Sequence, residues 1–412
     1  MLRNETGYAA APEGRGVRKA SGHPRASRMV AFSQQSVGMV GPGLKRFLAL
    51  AGRNLEGEGL PLKAALYHGR RDVRIQEVEE PVPEPGQVKI EVRWCGICGS
   101  DLHEYRAGPV FIPREDPHPL TGQTLPVILG HEFSGQVFET GGGVTRVVPG
   151  DRVVVEPILR CGVCRWCRRG QYNLCAKSGF LGLSGGGGGF AHYVVVPEEY
   201  VHPLPGNLDF EKAALAEPLA VALHAVRRGQ LRAGERVSIF GAGPIGLAVL
   251  LAAKAAGASQ VIVSEVVMAR REKAAALGAD TTIDPRKESV PRVIRQVTRG
   301  AGVNVAFETS GTPGGLGDAL RSLDKGGRVV VVSLWEDRIQ VDFNRLVIPE
   351  REIIGSLGYC GEFPAVLALM ADGRLDPYPL ITRRIDLVDL VAGGFERLVQ
   401  NPKEVKILVQ PG

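Results

Sequence analysis

The sequence predicts an α/β protein made of a β-rich domain and a doubly wound parallel sheet. Three observations carry this prediction. The stretch WCGICGSDLHEY, at residues 94–105, gathers thiols, a carboxylate and an imidazole, and GHEF follows at residues 130–133. Further cysteines are grouped within residues 161–175. A glycine-rich turn, GAGPIG, follows a strand-like segment at residues 241–246.

Length and composition limit the class of protein. A chain of 412 residues with 44% hydrophobic residues is long enough for two or three domains. No apolar run approaches the roughly 18 residues of a membrane-spanning helix, so a membrane is not an expected partner. The net charge is +6, but residues 1–53 hold nine Lys and Arg against two Glu. Because the rest of the chain is close to neutral, nucleic acid is not an expected partner either.

Residues 1–61 are rich in Gly, Arg, Ser and Ala and show no sustained period of 2 or 3.6. Two interpretations remain open. The segment is a disordered extension or an upstream misread start, or it is an Arg-rich transit peptide. We favour the first interpretation as the expectation.

From residue 63 the chain alternates short apolar runs with Gly and Pro turns. Residues 63–81 predict a short hairpin, and QVKIEVRW at residues 87–94 predicts a half-buried strand. Further strands are predicted at residues 133–140, 152–157 and 191–196. This pattern favours an irregular, barrel-like β domain.

Within that domain, C-x2-C-x2-C-x7-C supplies the thiols of Cys161, Cys164, Cys167 and Cys175. Four thiolates make a closed tetrahedral zinc site, and its role is structural because no ligand position stays open. An Fe–S cluster is the competing occupant. Spacings this tight favour a metal over disulfides, and there is no secretory apolar segment, so we expect a reducing compartment, the cytoplasm.

The glycine run SGGGGGF occupies residues 184–190. It neither leads from a strand into a helix nor ends in Lys followed by Ser or Thr. It therefore predicts a flexible loop and not a phosphate cradle.

Residues 211–226 have helical periodicity with Pro218 in the middle. Proline interrupts a helix interior, so two helical pieces with a break are predicted. Glu217 is expected at that break, where an isolated acid is ordinarily a solvated helix end.

A dinucleotide-binding unit is predicted from residue 236 onwards. The strand RVSIF leads into the glycine-rich turn, a helix follows, and a second strand, QVIVS, ends at Glu265. The glycines let the backbone approach a pyrophosphate at the helix N-terminus, and Glu265 accepts from the ribose 2′-hydroxyl, which favours NAD over NADP. Arg270 and Arg271 are expected to flank the adenine end. The predicted cofactor contacts are Gly241, Gly243, Pro244, Ile245, Gly246, Glu265 and Arg270.

Strand and helix signals continue to alternate after this unit. They fall at residues 281–283, 290–298, 303–308, 316–323, 328–332 and 352–354. The set completes about six parallel strands, as in a doubly wound sheet. A helix at residues 362–370 and a closing strand at 405–409 are too short for a domain, so they are expected to rejoin the β-rich domain.

Residues 63–412 resemble the zinc-dependent medium-chain alcohol dehydrogenases. The motifs shared with the whole family are GICGSDLH, GHEFSG, the four-cysteine lobe and GAGPIG. A narrower similarity, to members that act on 2,3-butanediol, rests on residues 107–126, VVVEPILRCGVCRWC, GFLGLSGGGGGFAHYVVVP and AEPLAVALHAVRRG. The resemblance implies a GroES-like catalytic domain at residues 62–217, a Rossmann NAD-binding domain at 218–358 and a C-terminal return at 359–412. Leu62 stands where the family usually begins with methionine, which supports the misread start.

The resemblance also implies a ligand set. A catalytic zinc would be held by Cys98, His131 and Glu132. Glu217 matches a carboxylate that approaches the metal or holds its water, whereas Cys95 falls where relatives accept residues that are not ligands. Together with the four-cysteine site, the expected cofactors are two zinc ions per chain and NAD.

Proton transfer is assigned in the same way. Ser100 and His103 fall where the family places its proton relay, and Asp101 falls where it orients the histidine ligand. The implied reaction is the reversible oxidation of 2,3-butanediol to acetoin, with acetoin to diacetyl as an extension. Hydride passes from a zinc-bound alkoxide to the nicotinamide. A small vicinal diol or hydroxyketone is thus the expected partner, with R,R preference and a homodimer or homotetramer by family analogy.

Two alternatives stay open. Sorbitol-type polyol dehydrogenases and L-threonine 3-dehydrogenase share the zinc motifs. From another class, the chain could be a non-catalytic NAD-binding protein stabilised by zinc.

Overall fold

The structure is a computed structural model that describes residues 62–335 and 338–412. Both interpretations of residues 1–61 lie outside the described residues and stay predictions. Within the described part of the chain, no helix combines the length and the apolar character that a bilayer crossing requires.

Short strands dominate the first half of the described chain, and strands alternating with helices follow. In chain order they are β1 (Lys63–Gly69), β2 (Asp72–Glu77), β3 (Gln87–Gly96), β4 (Val127–Ile128), β5 (Glu132–Thr140), β6 (Arg152–Val155), β7 (Ile158–Leu159), β8 (Gly179–Phe180), β9 (Tyr193–Pro197), β10 (Val201–Pro203), β11 (Arg236–Phe240), β12 (Gln260–Ser264), β13 (Thr281–Ile283), β14 (Val303–Glu308), β15 (Leu323–Val331), β16 (Glu352–Gly355), β17 (Ile381–Asp386) and β18 (Lys406–Gln410). The hairpin predicted at residues 63–81 is confirmed, because β1 and β2 pair antiparallel.

The helices are placed mainly in the second half. They are α1 (Gly99–Ala107), α2 (Arg165–Arg168), α3 (Phe210–Ala214), α4 (Ala216–Arg228), α5 (Pro244–Ala255), α6 (Met268–Ala276), α7 (Val290–Val297), α8 (Pro313–Ser322), α9 (Asn344–Val347), α10 (Phe363–Ala371) and α11 (Arg397–Gln400). Short 3₁₀ turns and one π-helical segment, Leu390–Glu396, complete the described helical structure.

The largest sheet of the β-rich part has seven strands in the order β10-β6-β5-β3-β18-β17, with β9 also paired to β3. In β3 the apolar residues Val88, Ile90 and Val92 are buried at alternate positions, as its sequence pattern predicted. The C-terminal strand β18 pairs antiparallel with β3, placing Leu408 opposite Gly96. The end of the chain therefore lies beside the strand that leads to Cys98.

The second large sheet is parallel, with the order β13-β12-β11-β14-β15-β16. Counting its strands from β11, the order is 3-2-1-4-5-6, that of the doubly wound fold. The chain changes direction across the sheet between β11 and β14. Ligands bind beyond the carboxyl ends of the strands at such a point, where the glycine-rich turn leaves β11.

The helical break predicted at Pro218 is misplaced. The break falls at Leu215, between α3 and α4, and Pro218 lies in the first turn of α4. Proline is tolerated there because the first-turn N–H groups have no helical partner. Glu217 therefore lies inside α4 and is 4% exposed. The interpretation of this residue as a solvated helix end is wrong as well.

The glycine run at residues 184–190 forms the predicted loop, which lies between β8 and β9. Most of the run, including Ser184, Gly188, Gly189 and Phe190, is buried. Gly189 N donates a hydrogen bond to Gly130 O at 2.7 Å. This burial was not expected from the sequence, because glycine suits close backbone packing as well as mobility.

Candidate active site

Cys98 stands at the N-terminus of α1, where it caps the helix. Its backbone N–H donates to Asp101 Oδ2 at 2.9 Å, and its side chain accepts from the backbone N–H of Asp101. The Asp101 side chain is fully buried. This reciprocal cap fixes the orientation of the thiol relative to the helix.

His131 immediately precedes β5 and is buried. Its Nδ1 lies 3.5 Å from Asp101 Oδ1, and its Nε2 lies 3.1 Å from Ser100 Oγ. Neither Nδ1 nor Asp101 Oδ1 makes a hydrogen bond of good geometry with a described residue. Burial disfavours the charged ring, but Asp101 and Cys98 outweigh it and raise the pKa of His131 well above its usual value. Metal binding would therefore release a proton from this ring.

The sulfur of Cys98, a ring nitrogen of His131 and a carboxylate oxygen of Glu132 all lie within 4.8 Å of one another. A thiolate, an imidazole and a carboxylate are ligands that zinc accepts, and three protein ligands leave a fourth position open. The donor set therefore fits a catalytic zinc. Cys95, by contrast, is completely buried in the core of the β-rich part.

Lys406, at the start of β18, was not predicted as a site residue. Its Nζ donates to Glu132 Oε1 and Oε2 at 2.7 and 2.6 Å and to Ile97 O at 3.0 Å. Lys406 is 2% exposed and Glu132 is fully buried. Burial disfavours the ammonium, yet the charges of Glu132 and Cys98 raise the pKa of Lys406 above its usual value. The Glu132 carboxylate thus pairs with the buried Lys406 ammonium and also faces the candidate metal position.

Glu217 is close to this cluster without belonging to its group of mutually near ligand atoms. Burial raises the pKa of Glu217 to about 7, and the Glu132 charge adds to the effect, while the charge of His131 opposes it. Burial and the charge of Glu217 raise the pKa of the fully buried Tyr359. The role of Glu217 at the metal stays a prediction.

The raised pKa of Glu217 predicts a pH effect on the metal-free enzyme. Between about pH 4.5 and 7 the folded state keeps a proton that the unfolded chain has lost, so the free energy of unfolding falls as pH rises. The slope is about 1.4 kcal/mol per pH unit for one such group. Urea unfolding in the presence of EDTA at several pH values measures it. Glu217→Gln should flatten the curve in this window, and an unchanged slope in the variant contradicts the assignment.

The four-cysteine lobe brings one sulfur each from Cys161, Cys164, Cys167 and Cys175 within 4.8 Å of one another. Backbone N–H groups of Cys167 and Ala176 lower the pKa of Cys164 to about 6, whereas burial and the neighbouring thiols raise the pKa of Cys167 to about 12 when no metal is bound. Thiolates are the form that binds zinc. The lobe therefore fits a closed four-thiolate zinc site.

The glycine-rich turn joins β11 to α5, with Gly243 at the helix N-cap. Gly241 has φ +98°, a conformation that favours glycine. A Cβ on Gly246 would lie 2.0 Å from Gly241 O, so only glycine allows this helix to approach the strand. A Cβ on Gly243 would meet open space, which leaves the helix N-terminus free for a pyrophosphate.

A cavity of about 470 Å³ opens at this turn, lined among others by Gly241, Gly243, Glu265, Arg270 and Ser310. Glu265 accepts from Ala242 N at 2.7 Å and from Val267 N at 2.8 Å. Each carboxylate oxygen keeps a lone pair that can accept from a ribose hydroxyl. Arg270 lines the cavity and donates through Nε to Pro402 O at 3.0 Å.

Arg271 does not line this cavity. Its Nη1 donates to Glu265 O at 2.7 Å and to Val266 O at 2.9 Å, and its Nη2 pairs with Asp284 at 3.2 Å. The guanidinium therefore stabilises the end of β12. Of the two arginines predicted to flank the adenine end, Arg270 is the one at the cavity.

A dinucleotide cavity at the switch point of a doubly wound sheet and a Cys/His/Glu cluster in a β-rich part are features of a metal-dependent dehydrogenase. Comparison with known proteins agrees. A family model described as alcohol dehydrogenase GroES-like domain matches residues 84–206, and one described as zinc-binding dehydrogenase matches residues 244–372. The (R,R)-butanediol dehydrogenase of Bacillus subtilis (strain 168) is 50% identical over 351 residues, which are 85% of this chain and 100% of the relative. The chain belongs to the zinc-dependent medium-chain alcohol dehydrogenase family.

Two further relatives extend the comparison. The crystal structure of 2R,3R-butanediol dehydrogenase from Bacillus subtilis has a TM-score of 0.82 at 50% identity and covers 85% of this chain and 100% of its own. A sorbitol dehydrogenase of the same strain is 35% identical over 354 residues, 85% of this chain and 97% of the relative. The predictions of the family, of an enzyme and of a GroES-like part with a Rossmann sheet are confirmed. The family implies zinc and NAD as cofactors.

Sequence reasoning missed Lys406 and Tyr359. Lysine is almost never fully buried unless it is paired, and nothing local to β18 marks Lys406 as paired. Its partner Glu132 is 274 residues away in the sequence. Tyr359 stands in the segment GYCGE between β16 and α10, and its relation to Glu217 exists only in the folded chain.

Proposed function

We propose that this enzyme catalyses the reversible, NAD-dependent oxidation of 2,3-butanediol to acetoin, with R,R preference. The observation that carries the proposal is the 50% identity to a butanediol dehydrogenase over that relative's whole length. The Cys98, His131 and Glu132 cluster and the dinucleotide cavity supply the chemistry that this reaction needs. The extension from acetoin to diacetyl belongs to the same proposal.

The proposed roles of the metal cluster follow from its geometry. Cys98, His131 and Glu132 hold a catalytic zinc, with Glu217 beside it. Zinc bound there would act as a Lewis acid that lowers the pKa of the substrate hydroxyl or polarises the ketone. Asp101, 3.5 Å from His131 Nδ1, directs Nε2 towards the metal.

Proton transfer is proposed to begin at Ser100. Its hydroxyl, 3.1 Å from His131 Nε2, is close enough to the cluster to take the proton that the substrate oxygen loses. His103 follows three residues later on the same face of α1 and is half-buried. His103 would pass the proton on to water. NAD held in the cavity lined by Gly241 and Glu265 would accept the hydride from the substrate carbon.

Two zinc ions per chain are proposed. The second occupies the four-cysteine lobe, where four thiols leave no open position, so its role is structural. For the redox cofactor, Glu265 at the end of β12 is the reason to expect NAD before NADP. A carboxylate accepts from a ribose hydroxyl and repels a 2′-phosphate.

The domain division at residues 62–217, 218–358 and 359–412 is retained as part of the proposal. A homodimer or homotetramer is supported by exposed apolar side chains in and just before β16, one of the two edge strands of the parallel sheet. They are Phe343, Val347, Ile348 and Ile353. All seven cysteines lie in the described residues and none forms a disulfide, which fits a reducing compartment such as the cytoplasm.

A substrate panel tests the activity. Initial rates are measured with each butanediol stereoisomer, acetoin, sorbitol and L-threonine, first with NAD and then with NADP. We expect the highest kcat/KM for the R,R isomer with NAD, because a relative named for that isomer is 50% identical over its whole length. A preference for sorbitol or L-threonine would replace the substrate proposal. Absence of turnover in a protein that holds one zinc and resists chelators would favour the non-catalytic alternative.

A further inference from the structure

The backbone that leads into His131 is held by the glycine run of residues 184–190 rather than by side chains. Gly189 N donates to Gly130 O at 2.7 Å, and Phe190 N donates to Leu129 O at 2.9 Å. Both accepting carbonyls belong to the two residues directly before His131. The position of the His131 backbone, from which the imidazole extends, is therefore set by these two hydrogen bonds from the run.

Gly182 and the glycine run both approach this segment so closely that no room is left for a side chain. A Cβ on Gly182 would lie 2.2 Å from Gly130 O, and a Cβ on Gly188 would lie 2.4 Å from the carbonyl oxygens of Ile128 and Leu129. Real Cβ atoms essentially never come within 3.0 Å of another heavy atom. The obstructing atoms are backbone, so no rotamer change can relieve the overlap. A substitution must displace one of the two segments.

We propose that Gly182, Gly188 and Gly189 form a positioning element for the His131 ligand. The missing side chains of Gly182 and Gly188 allow the close approach in which the N–H groups of Gly189 and Phe190 hold the Gly130 and Leu129 carbonyls, and this sets where the imidazole meets the metal position. None of the three lines the cavity at the glycine-rich turn. The inference rests on the proposed zinc centre, and it explains why a glycine-rich stretch with no phosphate-binding context lies buried beside it. Displacement of a catalytic group by about 1 Å can cost about 100-fold in rate.

Two matched pairs of alanine variants test the element. Gly188→Ala is compared with Gly206→Ala, since a Cβ on Gly206 meets nothing within 4 Å. Gly182→Ala is compared with Gly143→Ala, because these glycines have φ +77° and +85° and a Cβ on Gly143 also meets open space. In the pair Gly182→Ala and Gly143→Ala, both alanines adopt the strained left-handed backbone conformation. The two variants therefore differ only in the collision of the Gly182 position with Gly130.

Four quantities are measured for each variant: NADH binding, zinc per chain, the visible spectrum of the cobalt-substituted enzyme, and kcat/KM for butanediol. For Gly182→Ala and Gly188→Ala we expect unchanged NADH binding, zinc reduced from two to one per chain or a shifted cobalt spectrum, and kcat/KM lowered about 100-fold. The control variants should keep the wild-type values. A general loss of stability would instead reduce NADH binding together with the metal.

The inference is overturned if both collision variants retain two zinc ions, the wild-type cobalt spectrum and the rates of their controls. If neither variant binds NADH, Gly189→Ala decides, because its Cβ would meet Cys95 Sγ and Phe133 Cβ at 2.7 Å instead of a backbone oxygen. A wild-type cobalt spectrum and rate in that variant overturn the inference, and their loss supports it. A wild-type enzyme without metal at Cys98 would overturn the proposed function itself.

Discussion

Replacing Cys98 with alanine should lower kcat/KM for 2,3-butanediol by roughly three orders of magnitude, because a Lewis-acid metal supplies several kcal/mol of transition-state stabilisation. Zinc content should fall from two to one per chain, since the four-cysteine lobe is a separate group of ligands. NADH binding should persist, because the glycine-rich turn belongs to the parallel sheet. Metal analysis, NADH fluorescence titration and initial rates measure the three effects.

Cys95→Ala is the matched control for that experiment. Cys95 lies three residues before Cys98 in the same motif, but it is fully buried in the core and outside the ligand cluster. Removing one sulfur there should cost about 1 kcal/mol in the free energy of unfolding and leave the zinc content at two. If Cys98→Ala kept both zinc ions, or if Cys95→Ala lost one, the ligand assignment would be wrong.

Replacing Lys406 with methionine should destabilise the metal-free enzyme by about 3–5 kcal/mol, because it leaves the Glu132 carboxylate buried without a counter-charge. Lys406 Nζ is bonded to both oxygens of Glu132 and to Ile97 O, so all three of its donors are satisfied in the fold. The midpoint of urea unfolding in EDTA measures the loss. With zinc bound the loss should be smaller, since the metal also compensates the charge of Glu132.

Two variants make the Lys406 result specific. Lys406→Met combined with Glu132→Gln should recover much of the lost stability, because the uncompensated charge disappears. Lys89→Met is the matched control: Lys89 is also 2% exposed, but its partner Glu80 is about half exposed and stays hydrated after the change. A double variant no more stable than Lys406→Met alone, or an equal loss in Lys89→Met, would refute the explanation.

The glycine-rich turn and the ligand motif could be read from the sequence because each is local. Strand β11, the turn, α5, β12 and Glu265 follow one another within thirty residues, and their order is specific for a dinucleotide unit. Cys98 and its cap Asp101 are likewise separated by a single helical turn. At these two places the spacing of residues in the sequence is enough to predict the kind of site. The roles of the individual residues stay predictions.

The errors arose where one residue type serves two purposes. Pro218 interrupts a helix interior but is accepted in a first turn, and the sequence does not say where α4 begins. Glycine gives mobility in an exposed loop but close contact in a buried one, and the burial of residues 184–190 depends on β4 and the segment before His131. Both outcomes were decided by neighbours that the local sequence does not name.

The sequence by itself determined the doubly wound sheet with its glycine-rich turn, the four-cysteine lobe and the Cys98, His131 and Glu132 motif. Only the tertiary structure placed Lys406 on Glu132, Tyr359 beside Glu217, and the glycine run against Gly130. The physical reason is desolvation. A buried carboxylate such as Glu132 needs a counter-charge, and a buried glycine leaves no space for a side chain. Both conditions depend on which distant segments meet when water is excluded.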